Sequence, residues 1–136
     1  ISEITVEAGR PDTITEDKLR VMKEVGVNRI CINSQTLSDT TLVSIGRKHS
    51  AGDFALAYDL AVKTGFQTMS SDLIAGLPGE KLQDFSHSLD TLLTMRPENI
   101  TIHTLSKKKR ASLTRENMQL VDKDREDTIA AMLLYA

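Results

Sequence analysis

The sequence holds a single cysteine, Cys31, in 136 residues. One thiol cannot close an internal disulfide, so a reducing cytoplasmic compartment is the expectation. One cysteine and three scattered histidines also cannot build a closed metal site, so no metal ligands are assigned. Neither charge sign is in excess, with 17 basic and 19 acidic residues. That balance argues against a general binder of nucleic acid or anionic membrane, which carries a basic surplus. Long apolar runs are missing as well: the longest, Ile129 to Met132 and on to Ala136, is far too short to span a bilayer. The opening residues carry no signal-peptide pattern. There is no G-x-x-x-x-G-K phosphate loop, no low-complexity segment and no Pro/Ser-rich linker. What is present is a 40% hydrophobic chain of ordinary size for one globular unit.

Both ends look cut. Ile1 is not an initiator methionine and runs almost at once into a strand-like stretch. At the other end T-I-A-A-M-L-L-Y-A stops in mid-helix with no Gly, Asn or Pro stop signal. The expectation is a piece of a longer protein.

Four segments favour strands: Glu3 to Glu7, Arg29 to Asn33, Thr68 to Ala75 and Asn99 to Thr104. Helical patterns lie between them. Thr15 offers an N-cap before Glu16 and Asp17, Leu19, Met22 and Val25 then recur at helical spacing, and Gly26 supplies the stop. Ser38-Asp39 opens a second helix to about Ile45, a third runs from Gly52 to Thr64 before Gly65, and a fourth from Gln83 to Met95 before Pro97. A last helix begins near Leu113 or Thr114. The division this suggests is a βα-repeat region over 1–112 and the start of a C-terminal helical segment over 113–136. Alternating strands and helices signal parallel α/β architecture, either an open doubly wound sheet or an arc of a (β/α) barrel. A full barrel takes about 250 residues, so an arc suits a piece of a longer chain.

In such folds ligands meet the carboxyl ends of the strands. Glu7 closes the first strand, Gln35 follows the second, Asp72 lies on the third before G-L-P-G-E, and His103, Thr104 and Ser106 end or follow the fourth. Asp72 is the sharpest anomaly, because an unpaired carboxylate inside a sheet core costs several kcal/mol. Each residue also has a plain structural reading. Glu7 is an exposed strand end, Gln35 a loop amide, and Asp72 one half of a bridge to a helix lysine. Pro78-Gly79 suits a type II turn, and Glu80 favours the next helix N-terminus. His49 and His87 read as surface residues, and Cys31 as a small buried hydrophobe. Arg47, in G-R-K-H, is a cation able to satisfy a carboxylate. The run K-K-K-R at 107 to 110 is either a solvated loop or a clamp for an anionic substrate. The residues alone reach a ligand site at the strand ends, with the ligand open.

The segments E-I-T-V-E-A-G-R-P-D, V-G-V-N-R-I-C-I-N-S-Q-T, I-G-R-K-H-S and G-F-Q-T-M-S-S-D-L-I-A-G-L-P-G-E, in this order and spacing, resemble the oxygen-independent coproporphyrinogen III oxidase family of radical S-adenosylmethionine (SAM) enzymes. The likeness covers about residues 3 to 106, and N-S-Q-T with T-I-H-T-L-S-K-K-K-R-A-S is similar to the HemZ-type branch. The resemblance implies an arc of a radical-SAM barrel, with SAM and a [4Fe–4S] cluster as cofactors and a tetrapyrrole as substrate. It implies that Glu7, Gln35, Arg47, Asp72 and Ser106 contact SAM, so that Asp72 gains a partner from outside the chain, with Arg47 beside it. The family's C-x-x-x-C-x-x-C motif and glycine-rich SAM segment are missing and are expected upstream of Ile1. Without them this piece alone is expected to be inactive. The alternatives are a haem-carrying relative of the same superfamily and an unrelated α/β binding domain. An arc also leaves two sheet edges open to association.

Overall fold

The computed structural model describes residues 2–105 and 126–136. Its frame is a parallel sheet of four strands in the order β1-β2-β3-β4. The strands are β1 (Thr5–Gly9), β2 (Arg29–Gln35), β3 (Thr68–Ala75) and β4 (Asn99–Thr104). Four helices connect them: α1 (Glu16–Glu24), α2 (Asp39–Ser44), α3 (Ala51–Thr64) and α4 (Leu82–Met95), with a short 3₁₀ turn at Pro11–Thr13. A helical stretch at 126–135, here α5, completes the described residues.

Local signals place the helix ends. The Thr15 hydroxyl accepts from the Lys18 N–H, and Ser38 does the same for Thr41. Ser50 and Asp53 form a reciprocal capping box that starts α3. Gly65 ends α3 with φ at 99°, a value glycine adopts without strain.

Alternation along the strands sorts the sheet into two faces. Ile30, Ile32, Met69, Leu73 and Ala75 are buried on one, against Leu19 of α1, Phe54 and Tyr58 of α3, and Phe85, Leu89 and Leu92 of α4. Met132 of α5 belongs to the same core, and the Tyr135 hydroxyl donates to the Asp90 carboxylate at 2.8 Å. Sequential strand order with α1, α3 and α4 packed on one face is the geometry of a barrel arc. A doubly wound sheet would reverse its strand order and carry helices on both faces. No helix among the described residues is long and apolar enough to cross a membrane.

The fold corrects several expectations. β1 lies two residues further on than the sequence pattern suggests, so Glu7 is its middle residue and not its end. β2 continues past Asn33 to Gln35. His49 is buried, with Nε2 3.4 Å from the Ser34 carbonyl oxygen, and is not a surface residue. Cys31 is only partly buried and faces polar neighbours, because it lies on the face of the sheet that α1, α3 and α4 leave uncovered. Ser106, the basic run 107–110, the start of the last helix and the division at 112/113 lie outside the described residues.

Candidate functional site

Register brings two of the five predicted residues, Glu7 and Asp72, onto one surface; Gln35 stands at the turn after β2, Arg47 in the loop after α2, and Ser106 lies outside the described residues. Residues paired across parallel strands point to the same side, and Glu7 pairs with Cys31, which pairs with Ser70. One step further along, Asn33 pairs with Asp72, and Asp72 with Thr101. Glu7, Cys31, Asn33, Ser70, Asp72 and Thr101 therefore share the face opposite the apolar core, and His103 lies beyond them on β4. Asp72 is thus no charge in the core. It sits on a polar face, and the buried residues either side of it, Ser71 and Leu73, point the other way.

The carboxylate is nevertheless half-buried, met by backbone amides and not by a paired cation. Burial pushes the Asp72 carboxyl above the usual carboxylate range, against the opposing pull of the Gln35 backbone amide and of His103. The Gln35 N–H donates to Asp72 Oδ1 at 3.3 Å. Among the described residues Asp72 forms no ion pair: neither a helix lysine nor Arg47 reaches it. Arg47 follows α2, part-exposed, and its backbone N–H donates to the Leu42 carbonyl. Burial also raises the Cys31 thiol, opposed by a hydrogen bond with Ser70 and reinforced by Glu7 and, more weakly, by Asp72.

Two irregularities shape this end of the sheet. The β1–β2 ladder shifts register between Glu7 and Gly9, and the β2–β3 ladder between Asn33 and Gln35. Such bulges re-aim residues at strand ends. At Gln35 the backbone has φ of 60°, and the Thr36 N–H donates to the Ser34 carbonyl at 2.7 Å, closing a tight three-residue turn. A γ-turn with positive φ on a non-glycine residue is rare and strained. Gln35 thus reaches Asp72 through its backbone, while its side-chain Oε1 is buried and unpartnered.

Beneath the site lies a set of buried hydroxyls that the sequence reading passed over. Ser34 Oγ donates to the Asp72 carbonyl, and Ser71 Oγ donates to the Ile32 carbonyl at 2.9 Å. Thr36 Oγ1 donates to Glu80 Oε2 at 2.5 Å, and Ser88 Oγ of α4 accepts from the Leu37 N–H at 2.9 Å. Glu80 is buried at 6% exposure and spends its carboxylate on Thr36, not on the start of α4; there Asp84 accepts from the Lys81 N–H. The signals were present in the sequence. Ser34 and Thr36 continue the buried alternation of Ile30 and Ile32, and Ser88 interrupts the stripe of Phe85, Leu89 and Leu92. The turn before Glu80 is as expected: Glu80 N–H donates to the Leu77 carbonyl at 3.1 Å, with Gly79 at φ 75°.

The sequence model of the radical SAM superfamily matches residues 2–92. The chain belongs to the radical SAM superfamily. It is 43% identical over 132 residues to the oxygen-independent coproporphyrinogen-III oxidase-like protein HemZ of Bacillus subtilis, covering 97% of this chain and 26% of that protein. It is 39% identical over 105 residues to the heme chaperone HemW of the same organism, covering 77% of this chain and 27% of HemW. The solved coproporphyrinogen III oxidase HemN of Escherichia coli superposes with a TM-score of 0.70 at 18% identity, over 95% of this chain and 32% of HemN. The chain spans about a quarter of the curated relatives it matches.

Radical SAM proteins use SAM and a [4Fe–4S] cluster. The donor set of this chain fits the first. Half-buried Asp72 and exposed Glu7 offer carboxylate acceptors for hydroxyl and amino groups, and the buried, unpartnered Gln35 Oε1 offers another acceptor. It does not fit the second, because one cysteine cannot supply the thiolates a cluster requires.

Proposed function

We propose that this chain is the SAM-holding arc of a coproporphyrinogen oxidase-like radical enzyme, with Glu7, Gln35, Arg47, Asp72 and Ser106 contacting SAM. The observation that carries the reading is Asp72: a half-buried carboxylate at the strand ends with no cation paired to it among the described residues. A ligand bearing amino and hydroxyl groups supplies a charge and further donors to that carboxylate.

In this reading Glu7 and Asp72 orient the ligand from neighbouring rows of one face, and Gln35 holds Asp72 in place through its amide. When bound with its cluster, SAM supplies the radical chemistry that converts two propionate side chains of a tetrapyrrole to vinyls with loss of carbon dioxide. Arg47 and the basic run 107–110 are the groups of this chain suited to substrate or ligand carboxylates. The cluster ligands come from outside these 136 residues, and the proposed compartment is the cytoplasm.

A second reading is favoured by the 39% identity to HemW: a haem carrier built on the same barrel. Anaerobic reconstitution of the intact protein separates the two. Reductive SAM cleavage with consumption of coproporphyrinogen supports the oxidase reading. Retained haem with coproporphyrinogen unchanged supports the carrier. Failure to bind SAM at all contradicts the proposed site.

A further inference from the structure

The buried carboxylate of Glu80 stands apart from the face that meets ligand, yet it is tied to the one strained turn in that face. Its Oε2 accepts from Thr36 Oγ1 at 2.5 Å, and its Oε1 is buried without a partner. Thr36 is itself fully buried, and its N–H closes the turn centred on Gln35. Thr36 Oγ1 also accepts from the Ser38 N–H at 3.1 Å and lies 3.4 Å from Ser88 Oγ, which in turn accepts from the Leu37 N–H. Residues 36 to 38 are thereby pinned to the G-L-P-G-E turn and to α4. On the other side of Gln35, Ser34 donates to the Asp72 carbonyl and its own carbonyl faces His49 Nε2. A backbone held at φ 60° on glutamine relaxes unless both flanks are fixed. Glu80 is placed to serve as such an anchor: its buried carboxylate accepts from the Thr36 hydroxyl and is drawn more weakly by that of Thr41 in α2.

We propose that Glu80 is a positioning residue that, through Thr36, locks the strained turn at Gln35 and so presents the Gln35 amide to Asp72 for SAM binding. The proposal rests on the SAM reading above and adds to it a residue that touches no ligand. It accounts for the carboxylate directly after Pro78-Gly79: the turn delivers Glu80 under the end of β2.

The test is SAM affinity of the intact, anaerobically reconstituted protein, measured by equilibrium dialysis with labelled SAM. Glu80→Ala is expected to weaken SAM binding about tenfold, the scale of one lost buried hydrogen-bond partner. Thr36→Val is expected to do the same, while Thr36→Ser, which keeps the hydroxyl, restores affinity to within about threefold of the unsubstituted protein. In an Asp72→Ala background, where the presented amide has no carboxylate to meet, Glu80→Ala is expected to add nothing further. Should Glu80→Ala fail to fold, the Thr36 pair carries the test, with hydrogen exchange of the 33–37 segment faster in Thr36→Val than in Thr36→Ser. Wild-type affinity in folded Glu80→Ala or Thr36→Val, or equal losses with and without Asp72, overturns the proposal while leaving the SAM reading intact. An unsubstituted protein that binds no SAM overturns both.

Discussion

The Gln35 backbone N–H donates to Asp72 Oδ1 at 3.3 Å from a turn that no glycine relieves. Positive φ on a non-glycine residue is strained, and the carboxylate this donor meets is half-buried with no ion pair among the described residues.

Replacing Asp72 by asparagine separates function from stability. The side chain keeps its shape and loses a charge that burial disfavours, so the melting temperature of the intact protein is expected to be unchanged or higher. SAM affinity is expected to fall by about tenfold or more, the scale of one charge-assisted contact. A variant that melts much lower would assign Asp72 a structural role.

The pH dependence of stability carries a definite sign. Burial raises the carboxyl pKa of both Asp72 and Glu80 in the folded chain. The native state therefore keeps these protons to higher pH than the unfolded chain does. Their contribution to stability is greatest below the ordinary carboxylate value, about 4, and declines as pH rises from there through the folded values. Thermal unfolding from about pH 4 to 7 is expected to show a shallower decline in Asp72→Asn than in the unsubstituted protein. Equal slopes would contradict burial as the cause.

Cys31 reports on the same face. Burial, with Glu7 beside it, keeps its thiol protonated to higher pH than a free cysteine. Alkylation of Cys31 by iodoacetamide, followed by peptide mass spectrometry, is expected to be slow near pH 7.5 and slower still with SAM present. Glu7→Gln is expected to speed it. Alkylation indifferent to SAM would put the ligand elsewhere.

The core supplies a control. Phe54 is fully buried between helix and sheet, 6.0 Å from the Tyr58 ring. Phe54→Ala is expected to cost about 3–5 kcal/mol in unfolding free energy through the cavity it leaves. The variant's remaining folded fraction should bind SAM as before, as measured by denaturant titration alongside ligand dialysis.

Much of this arrangement was legible before any coordinates. β3 and β4 lie where the sequence pattern puts them, and Thr15, Ser38 and Gly65 cap the helices their chemistry suggests. Asp72 was identified because a charge in an apolar run is expensive, and the register explains it by turning it to the polar face. What escaped the sequence was non-local. The bulges at Glu7/Gly9 and Asn33/Gln35 depend on pairing between strands, so β1 and β2 were drawn two residues out of place or short. The backbone contact of Gln35 to Asp72 is set by the turn, which no side-chain pattern announces. Glu80 and Thr36 lie 44 residues apart, so no local pattern could join them. His49 looked polar and near a helix start, and only the packing of residues 45–50 against the end of β2 buries it.

The most direct test of the central claim is binding of labelled SAM to the intact reconstituted protein and to its Asp72→Asn form under the same conditions. Saturable binding to the first, weakened about tenfold or more in the second with the fold retained, is the predicted result. Equal affinity in the two proteins would contradict the account.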